Sequence, residues 1–299
     1  MINSTTRYLW SASVVLFHPV NLKNIVWRLK FFGAVARKWR FVSDFVRATG
    51  NKGLANELNA QPDLLGVLLW PYINANWTLE QRLSAIACHF LEVDTGSVFS
   101  MTRGTSREIL DLSSIRSGLK ITLDRAIWFR REGELVLNIF LDSDRLYSLS
   151  FSFGRIDGKK VAYIGGVQGV VKPNILDLYK ELTKELYGMR PRDFLINVFR
   201  LVCLVAEVKY ILAVSDKCRH HHAAYFGESK GNEVIADYDK FWSEQGGVSR
   251  PDGFFCLTPG LNFRAIEDIA TNKRSLYRKR YAFIDEITAG LATYLMQQY

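Results

Sequence analysis

Strand and helix patterns alternate between residues 160 and 215, and this alternation constrains the fold more than any other feature of the chain. A strand-like run at residues 160–168 follows the turn residues 157–159, and helical patterns follow at 175–186 and 193–208. A short apolar run then forms the strand pattern Tyr210–Val214. Strands that are joined through helices pair in parallel. We therefore predict that these two strands are parallel neighbours in one sheet.

The segment before this unit predicts antiparallel pairing. Leu135–Leu141 and residues 146–153 are rich in strand-forming side chains and are separated by the turn sequence DSDR. Downstream, we predict a helix at 234–244, a strand at Phe254–Leu257 and a long terminal helix from about Ala270. The sheet should therefore be mixed.

Residues 1–94 have a helical pattern throughout. Apolar residues between positions 22 and 46 recur every three or four residues, which predicts one long amphipathic helix. A second helix is predicted at 79–90, with Thr78 as its N-cap. We predict an α/β (α+β) fold, in which a helical N-terminal region (1–95) packs on a mixed-sheet domain (96–299) that ends in a long helix.

Composition narrows the class of protein. A net charge of +9 and a pI near 9.3 favour an anionic partner, such as a membrane surface, a phosphorylated small molecule or nucleic acid. The apolar segment 8–17 lacks a signal-peptide cleavage pattern, and no run approaches the roughly 20 apolar residues of a membrane span. The four cysteines are far apart, which is typical of reduced thiols in the cytoplasm.

Four unusual segments lie between residues 163 and 281. They are YIGGVQG (163–169), YGMRPRDFL (187–195), ADYDKFWSEQGG (236–247, followed by DGFF) and KRSLYRKRY (273–281). Their order and content resemble the VirK/YbjX family of Gram-negative bacteria. The resemblance implies a cytoplasmic protein, peripheral to the inner membrane, that supports virulence and the biogenesis of the cell envelope and its surface proteins. It implies no particular reaction and no protein partner.

The element order also resembles the GNAT fold of N-acyltransferases. This second resemblance implies an acyl-CoA-dependent N-acyltransferase with acyl-coenzyme A as its cofactor. Gly165, Gly166 and Gln168 of YIGGVQG would then lie beside the pantetheine arm. Because glycine permits positive φ and close backbone approach, a β-bulge or tight turn is the alternative for this segment.

The resemblance places the pyrophosphate at the loop before the 193–208 helix. That loop supplies Gly188, Arg190 and Arg192, with Asp193 as the helix N-cap. It departs from the family pattern, since it has one glycine and Pro191 lacks an N–H, so the arginines would bind the phosphate. The alternative is a basic loop that packs on the N-terminal helices.

Catalytic candidates come from two segments. Tyr238 corresponds to the tyrosine general acid of the GNAT fold, although an aromatic helix face is also typical of a core. His220 and His222 follow the strand Tyr210–Val214, and imidazole titrates near neutrality, so either could be a general base. The alternative is a solvated loop. Consecutive histidines cannot converge on one ion, so we predict no metal site.

Two basic segments bear on partners. KRSLYRKRY predicts either a solvated helix face or a contact with an anionic membrane or phosphate; nucleic acid is disfavoured because no recognised binding module surrounds it. In the first long helix, an aromatic stripe alternates with lysine and arginine and predicts either an interfacial helix or packing on the sheet domain. A non-catalytic membrane-peripheral or chaperone-like module is therefore the alternative to an enzyme. The stripe consists of Trp27, Phe31, Phe32, Trp39, Phe41 and Phe45.

Overall fold

The computed structural model of the protein describes residues 4–47, 52–93, 97–125, 128–226, 237–261 and 263–296. The strands are β1 (Ser106–Asp111), β2 (Leu119–Asp124), β3 (Leu135–Leu141), β4 (Asp144–Ile156), β5 (Lys159–Gly169), β6 (Tyr210–Val214), β7 (Val248–Ser249) and β8 (Phe254–Leu257). The helices are α1 (Ser4–Leu16), α2 (Leu22–Arg37), α3 (Trp39–Arg47), α4 (Lys52–Ala60), α5 (Leu79–Glu92), α6 (Ile175–Glu185), α7 (Pro191–Val205), α8 (Tyr238–Glu244) and α9 (Arg274–Met296). The predicted α/β class and helical N-terminal region are confirmed.

The strands form one eight-stranded mixed sheet in the order β1-β2-β3-β4-β5-β6-β8-β7. The strands from β1 to β5 are antiparallel neighbours, and the hairpin between β3 and β4 is confirmed. The turn between β4 and β5 holds Asp157 at φ 48° and Gly158 at φ 75°. Positive φ at both central residues matches the twist of a two-residue hairpin, which explains the Asp-Gly pair.

β5 and β6 are parallel neighbours, and α6 and α7 connect them, as predicted. α7 packs on β3 and β4, while α5 packs on β4. The α5 N-terminus is a capping box: the Thr78 side chain accepts from the Gln81 N–H at 3.3 Å, and the Gln81 side chain accepts from the Thr78 N–H at 2.8 Å. The sequence-based N-cap is therefore confirmed.

The single long helix predicted between residues 22 and 46 is wrong. The chain leaves helical geometry at Lys38, which has φ −123° and ψ 29°, so that α2 and α3 are separate helices. The break lets each helix bury its own face, Phe31 and Val35 on α2 and the Val42–Val46 side on α3. Among the described residues, α8 begins at Tyr238, and α9 begins at Arg274 where the prediction was about Ala270. The predicted start at 234 and the predicted domain boundary at 95 lie outside the described residues.

A buried ion network ties α4 to the sheet. Arg125, at the end of β2, places Nη2 2.8 Å from Glu57 Oε1 and 2.9 Å from Glu134 Oε2. The Tyr72 hydroxyl donates to Glu134 Oε1 at 3.2 Å. All four side chains are buried. Buried charges are stable only when paired and hydrogen-bonded, so this network fixes the helical region against the sheet.

Candidate functional site

β5 and β6 part at the carboxyl end of β5. β6 pairs with β5 only between Val161 and Ile164, whereas β5 continues, paired with β4, as far as Gly169. After Ile164, the backbone edge of β5 that faces away from β4 therefore pairs with no strand among the described residues. The carboxyl ends of parallel strands are where α/β sheets commonly hold their ligands.

Tyr238 occupies the space between the two parting strands. Its hydroxyl donates to the Val167 carbonyl at 2.7 Å and accepts from the Val167 N–H at 2.6 Å. Asp237 caps α8 by accepting from the Lys240 N–H at 2.9 Å, and Trp242 Nε1 donates to the Val214 carbonyl at 2.9 Å. Burial raises the pKa of Tyr238. The hydroxyl of this candidate general acid thus bridges both backbone groups of Val167.

Gly165 and Gly166 make room for Glu132, a residue of the segment between β2 and β3. A Cβ on Gly165 would overlap the Glu132 carbonyl oxygen, and a Cβ on Gly166 would overlap its carboxylate. Gly165 is also the extra residue of a β-bulge, because Ser150 pairs with Gly166 whereas Phe151 pairs with Ile164. The β-bulge alternative is therefore confirmed, and the two glycines leave space for Glu132. Any side chain at these two positions would occupy the space in which the Glu132 segment packs on β5.

The Glu132 carboxylate is buried, with 4% of the residue exposed. Gln168 Nε2 donates to both carboxylate oxygens, at 2.7 and 2.9 Å, and His220 Nδ1 lies 3.4 Å from Oε1. Among the described residues, no lysine or arginine lies within ion-pair distance of it. Burial raises the pKa of Glu132 to about 7, against the opposing effect of the Arg219 charge. A carboxyl group in this range can exchange protons at physiological pH.

His220 is a neutral partner of this carboxyl group. Burial and the neighbouring His221 lower the pKa of His220 to about 3. Its Nδ1 atom has no hydrogen-bond partner among the described residues. A neutral imidazole can accept a hydrogen bond from protonated Glu132 at this atom, which suits an orienting role more than a basic one. His222 is exposed, and its ring centroid lies 4.4 Å from that of His221.

An open cavity of about 380 Å³ lies over Glu132. Arg131 contributes a guanidinium that packs on Trp70, 5.3 Å from the ring centroid, and on Phe226, 4.8 Å away. Arg145 packs on Phe129 at 5.1 Å. The cavity therefore combines aromatic walls with positive charge around one titratable carboxyl group. Its lining consists of Trp70, Trp128, Phe129, Arg130, Arg131, Glu132, Arg145, Gln168 and His220.

The other predicted cofactor residues lie elsewhere. Gly188 has φ 79° and borders a second cavity, between α7, α8 and α9. Arg190 is exposed, and the Arg192 guanidinium lies 3.7 Å from the centre of the Phe241 ring. Asp193 is not the N-cap as predicted, because Pro191 starts the helix and Arg190 takes that position. The structure thus brings Gln168, His220 and the two β5 glycines together, and it keeps the 188–192 loop apart from them.

Glu132 is the functional candidate that sequence reasoning missed. It lies in the run RREGE, whose high density of charged residues around a glycine is typical of a solvated turn. Its burial depends on β5 glycines more than thirty residues away in sequence. The glycine pair was the available signal, since a doubled glycine inside a strand indicates that another part of the chain approaches closely.

The chain belongs to the DUF535 family, described as proteins of unknown function, whose family profile matches residues 21–293. It is 28% identical over 243 residues to the uncharacterized protein YbjX of Escherichia coli K12, covering 79% of this chain and 73% of YbjX. It is 27% identical over 230 residues to an uncharacterized protein of Haemophilus influenzae, covering 75% of each chain. The VirK/YbjX resemblance is thereby confirmed. No solved structure matches the protein significantly.

Two further observations concern membranes and metals. Within the described ranges, no helix combines the length and the apolar character that crossing a bilayer requires. Over the same ranges, no cluster of three or more His, Cys, Asp or Glu side chains has the geometry to hold a metal ion.

Proposed function

We propose that the protein is an enzyme of the acyl-transfer class in which Glu132 is the general base. One observation carries this proposal: a buried carboxyl group with a pKa near 7 faces an open cavity, where Gln168 and His220 hold it. A general base works best when its pKa is close to the working pH. The succession of antiparallel strands and then one parallel pair that parts, β5 and β6, supports the N-acyltransferase resemblance.

In the proposed reaction, the ionised Glu132 carboxylate accepts a proton from an amine or hydroxyl acceptor as that acceptor attacks an acyl carbonyl. The bond from the acceptor atom to the acyl carbon forms, the bond to the leaving group breaks, and the leaving group takes up the proton. Arg131 and Arg145 would attract an anionic part of a substrate, and Trp70 and Trp128 an apolar part. Gln168 would keep the carboxylate oriented.

The gap between β5 and β6 does not fit a pantetheine arm, because Tyr238 already satisfies the Val167 N–H and carbonyl that such an arm would bind. Gly165 and Gly166 likewise face Glu132 instead of open space. An acyl donor would therefore have to reach Glu132 through the open cavity. We propose acyl-coenzyme A as the acyl donor by this route.

The test is thioester turnover with acetyl-, octanoyl- and palmitoyl-coenzyme A and a panel of amines. The release of free thiol measures the rate. Glu132→Gln should lower the rate by about 10²- to 10⁴-fold, the usual contribution of a general base. The wild-type rate should rise with pH around a midpoint near 7, as ionisation of Glu132 requires. Glu108→Gln, at an exposed carboxylate of β1, is the matched control and should have no effect. Turnover that survives Glu132→Gln would refute the assignment.

A second candidate function, attachment to an anionic membrane surface from the cytoplasmic side, rests on α1 and α2. Their outer side exposes apolar residues, with Leu22 at 83%, Leu29 at 68% and Trp10 at 60% exposure. Residues 1–43 contain seven Lys and Arg and no Asp or Glu. Apolar side chains among basic ones are typical of interfacial helices, and each basic residue contributes about 1 kcal/mol near anionic lipid.

The aromatic stripe predicted for this surface is divided. Phe31 and Phe45 are buried, whereas Trp39 and Phe41 are each 43% exposed. The exposed ridge consists instead of mostly aliphatic residues on the other side of α2, on α1 and in the segment between the two helices. Its members are Trp10, Val14, Val15, Val20, Leu22, Ile25, Val26 and Leu29. The buried and the exposed apolar residues of α2 therefore lie on different faces of the helix, and this supports a proposed peripheral role in the cell envelope.

Co-sedimentation with phosphatidylglycerol vesicles at low and high salt tests this function. Leu22→Ser with Leu29→Ser should abolish binding, and charge reversal of Arg37, Lys38 and Arg40 to Glu should weaken it most at low salt. Leu176→Ser is the matched control, because Leu176 is 69% exposed but lies on α6. Equal binding by the ridge variant and the control would exclude this surface.

A further inference from the structure

The second cavity, of about 500 Å³, lies where three of the four unusual segments meet. The YGMRPRDFL segment borders it through Gly188 and Asp193, the SEQGG end of α8 through residues 243–246, and KRSLYRKRY through Tyr277 and Arg280. These segments are far apart in sequence and share no strand.

Arg200 is a buried cation that has no counterion among the described residues. Only 4% of this α7 residue is exposed, and its Nη2 donates to the Gln245 carbonyl at 2.6 Å. In the described ranges, its Nε has no hydrogen-bond partner and no carboxylate lies within ion-pair distance. Burial lowers the pKa of Arg200. Since a buried charge is unfavourable unless it is paired, an anion that enters the cavity would complete this site.

Arg280 approaches the same cavity from α9 and is fixed in position. Its Nε donates to the Tyr187 carbonyl at 2.9 Å, and its guanidinium lies 4.2 Å from the centre of the Tyr277 ring. Tyr187 and Gly188 have φ of 52° and 79°, and a Cβ on Gly188 would crowd the Arg280 guanidinium. The turn is therefore shaped around this arginine. Among the described residues, its terminal nitrogens make no hydrogen bond or ion pair, so they can bind a ligand.

The rest of the lining fits an organic anion more than a bare ion. Tyr281 packs against Phe263, with ring centroids 4.5 Å apart, and donates from its hydroxyl to the Arg264 carbonyl at 2.9 Å. Asp193 and Glu244 are the acidic members, and Asp193 accepts a bond from Gln245 Nε2 at 3.1 Å. The described lining thus carries three arginines, two carboxylates and an aromatic wall.

We infer that this cavity binds a phosphate ester or diphosphate, with Arg200 and Arg280 on the phosphate and the Phe263–Tyr281 wall against the organic part. Guanidinium groups bind phosphate oxygens in a bidentate fashion. A phosphate in the cavity would accept hydrogen bonds from the Arg200 donors that have no partner among the described residues. The site is separate from Glu132, so it stands whether or not the protein transfers acyl groups. It also gives the basic KRSLYRKRY segment a role that a solvated helix face would not require.

The probes are inorganic pyrophosphate and ADP, titrated into the full chain by calorimetry at constant ionic strength. Wild type should bind both, and Arg280→Gln should weaken binding about 10- to 100-fold, the loss expected for charge-assisted bonds. Arg278→Gln is the matched control, since Arg278 is an exposed residue of the same helix, and it should bind as wild type does. Arg264→Gln provides a second variant with a smaller loss, should Arg280→Gln fail to fold.

Vesicles that contain phosphatidic acid identify the source of the phosphate. Arg280-dependent vesicle binding that pyrophosphate displaces would assign the site to a lipid headgroup, and Arg280-dependent binding of the soluble probes alone would assign it to a free metabolite. No binding of either probe by wild type would overturn the inference. So would an equal loss in Arg280→Gln and Arg278→Gln, because it would indicate attraction to general positive charge.

Discussion

Glu132 and Glu134 are separated by one residue and both are buried, yet their carboxylates have opposite surroundings. Glu134 lies 2.9 Å from the Arg125 guanidinium and accepts a bond from Tyr72. Glu132 has the Gln168 amide and the neutral His220 ring. Gly133, at φ 156°, passes so close to the Phe151 backbone that a Cβ would overlap it. The chain thus directs neighbouring carboxylates into two different environments.

The difference teaches that burial alone does not define a functional carboxyl group; what matters is whether a cation accompanies it. Glu134 is compensated and ties α4 to the sheet through Arg125. Glu132 has only neutral groups within hydrogen-bond or ion-pair distance among the described residues, so burial raises the pKa of its carboxyl group to about 7. We therefore assign structure to the first and chemistry to the second. Three substitutions test this division.

The largest effect is expected at the compensated carboxylate. Arg125→Met leaves Glu57 and Glu134 buried without their shared cation, and should reduce the free energy of unfolding by about 3–5 kcal/mol. Urea unfolding measures the change. Lys180→Met removes a cation from an exposed pair with Asp177, in which the two side chains are 74% and 70% exposed, and should leave the free energy of unfolding nearly unchanged. Equal, small losses would mean that the buried network is dispensable.

An opposite, pH-dependent effect is expected at Glu132. Its folded pKa is raised from 4.5 to about 7, so the wild type loses stability as pH rises through that interval, while the unfolded chain ionises freely. Relative to wild type, Glu132→Gln should therefore gain about 3 kcal/mol between pH 4 and pH 8.5, at 1.36 kcal/mol for each pKa unit.

Unfolding of both proteins in urea at the two pH values measures this gain. Glu108→Gln, at an exposed carboxylate, should follow the wild type at both. A stability difference between Glu132→Gln and wild type that does not change with pH would place Glu132 with Glu134 as a structural residue.

The smallest effect on stability is expected at Tyr238, where it distinguishes a structural role of the hydroxyl from a chemical one. Tyr238→Phe leaves the buried Val167 N–H and carbonyl without their partner, which should cost about 1–3 kcal/mol. Tyr210→Phe, at a 41% exposed position of β6, is the control and should cost little in thermal or urea unfolding. A fully stable Tyr238→Phe protein with reduced thioester turnover would instead assign the hydroxyl to catalysis.

Local patterns predicted the central part of the fold. The Asp-Gly turn, the strand-forming side chains of β3 and β4 and the apolar run of β6 are each decided within a few residues, so local composition and turn chemistry were sufficient. β1 and β2 were not predicted. β1 (SREILD) has one buried residue and resembles a polar loop until β2 pairs with it. The break at Lys38 was missed because the apolar spacing continues across it.

The site was predictable only in part, because its contacts are long-range. Gln168, His220 and the β5 glycines came from unusual local composition, and they do surround one carboxylate. The carboxylate itself comes from a loop whose charged sequence gives no sign of burial. The Arg200 cavity was equally hidden, since the α7 pattern predicts a helix with an apolar face and cannot show that one cation on it lacks a counterion.

The charge distribution of the N-terminal helices has a kinetic consequence. Seven of the nine net positive charges belong to residues 1–43, so the remaining 256 residues carry only two. Such a chain is a strong electric dipole, and an anionic surface would exert a torque on it once the two are within about 10 Å at moderate ionic strength. The molecule would then arrive with α1 and α2 leading. Added salt should slow the encounter far more than it speeds departure of the apolar ridge.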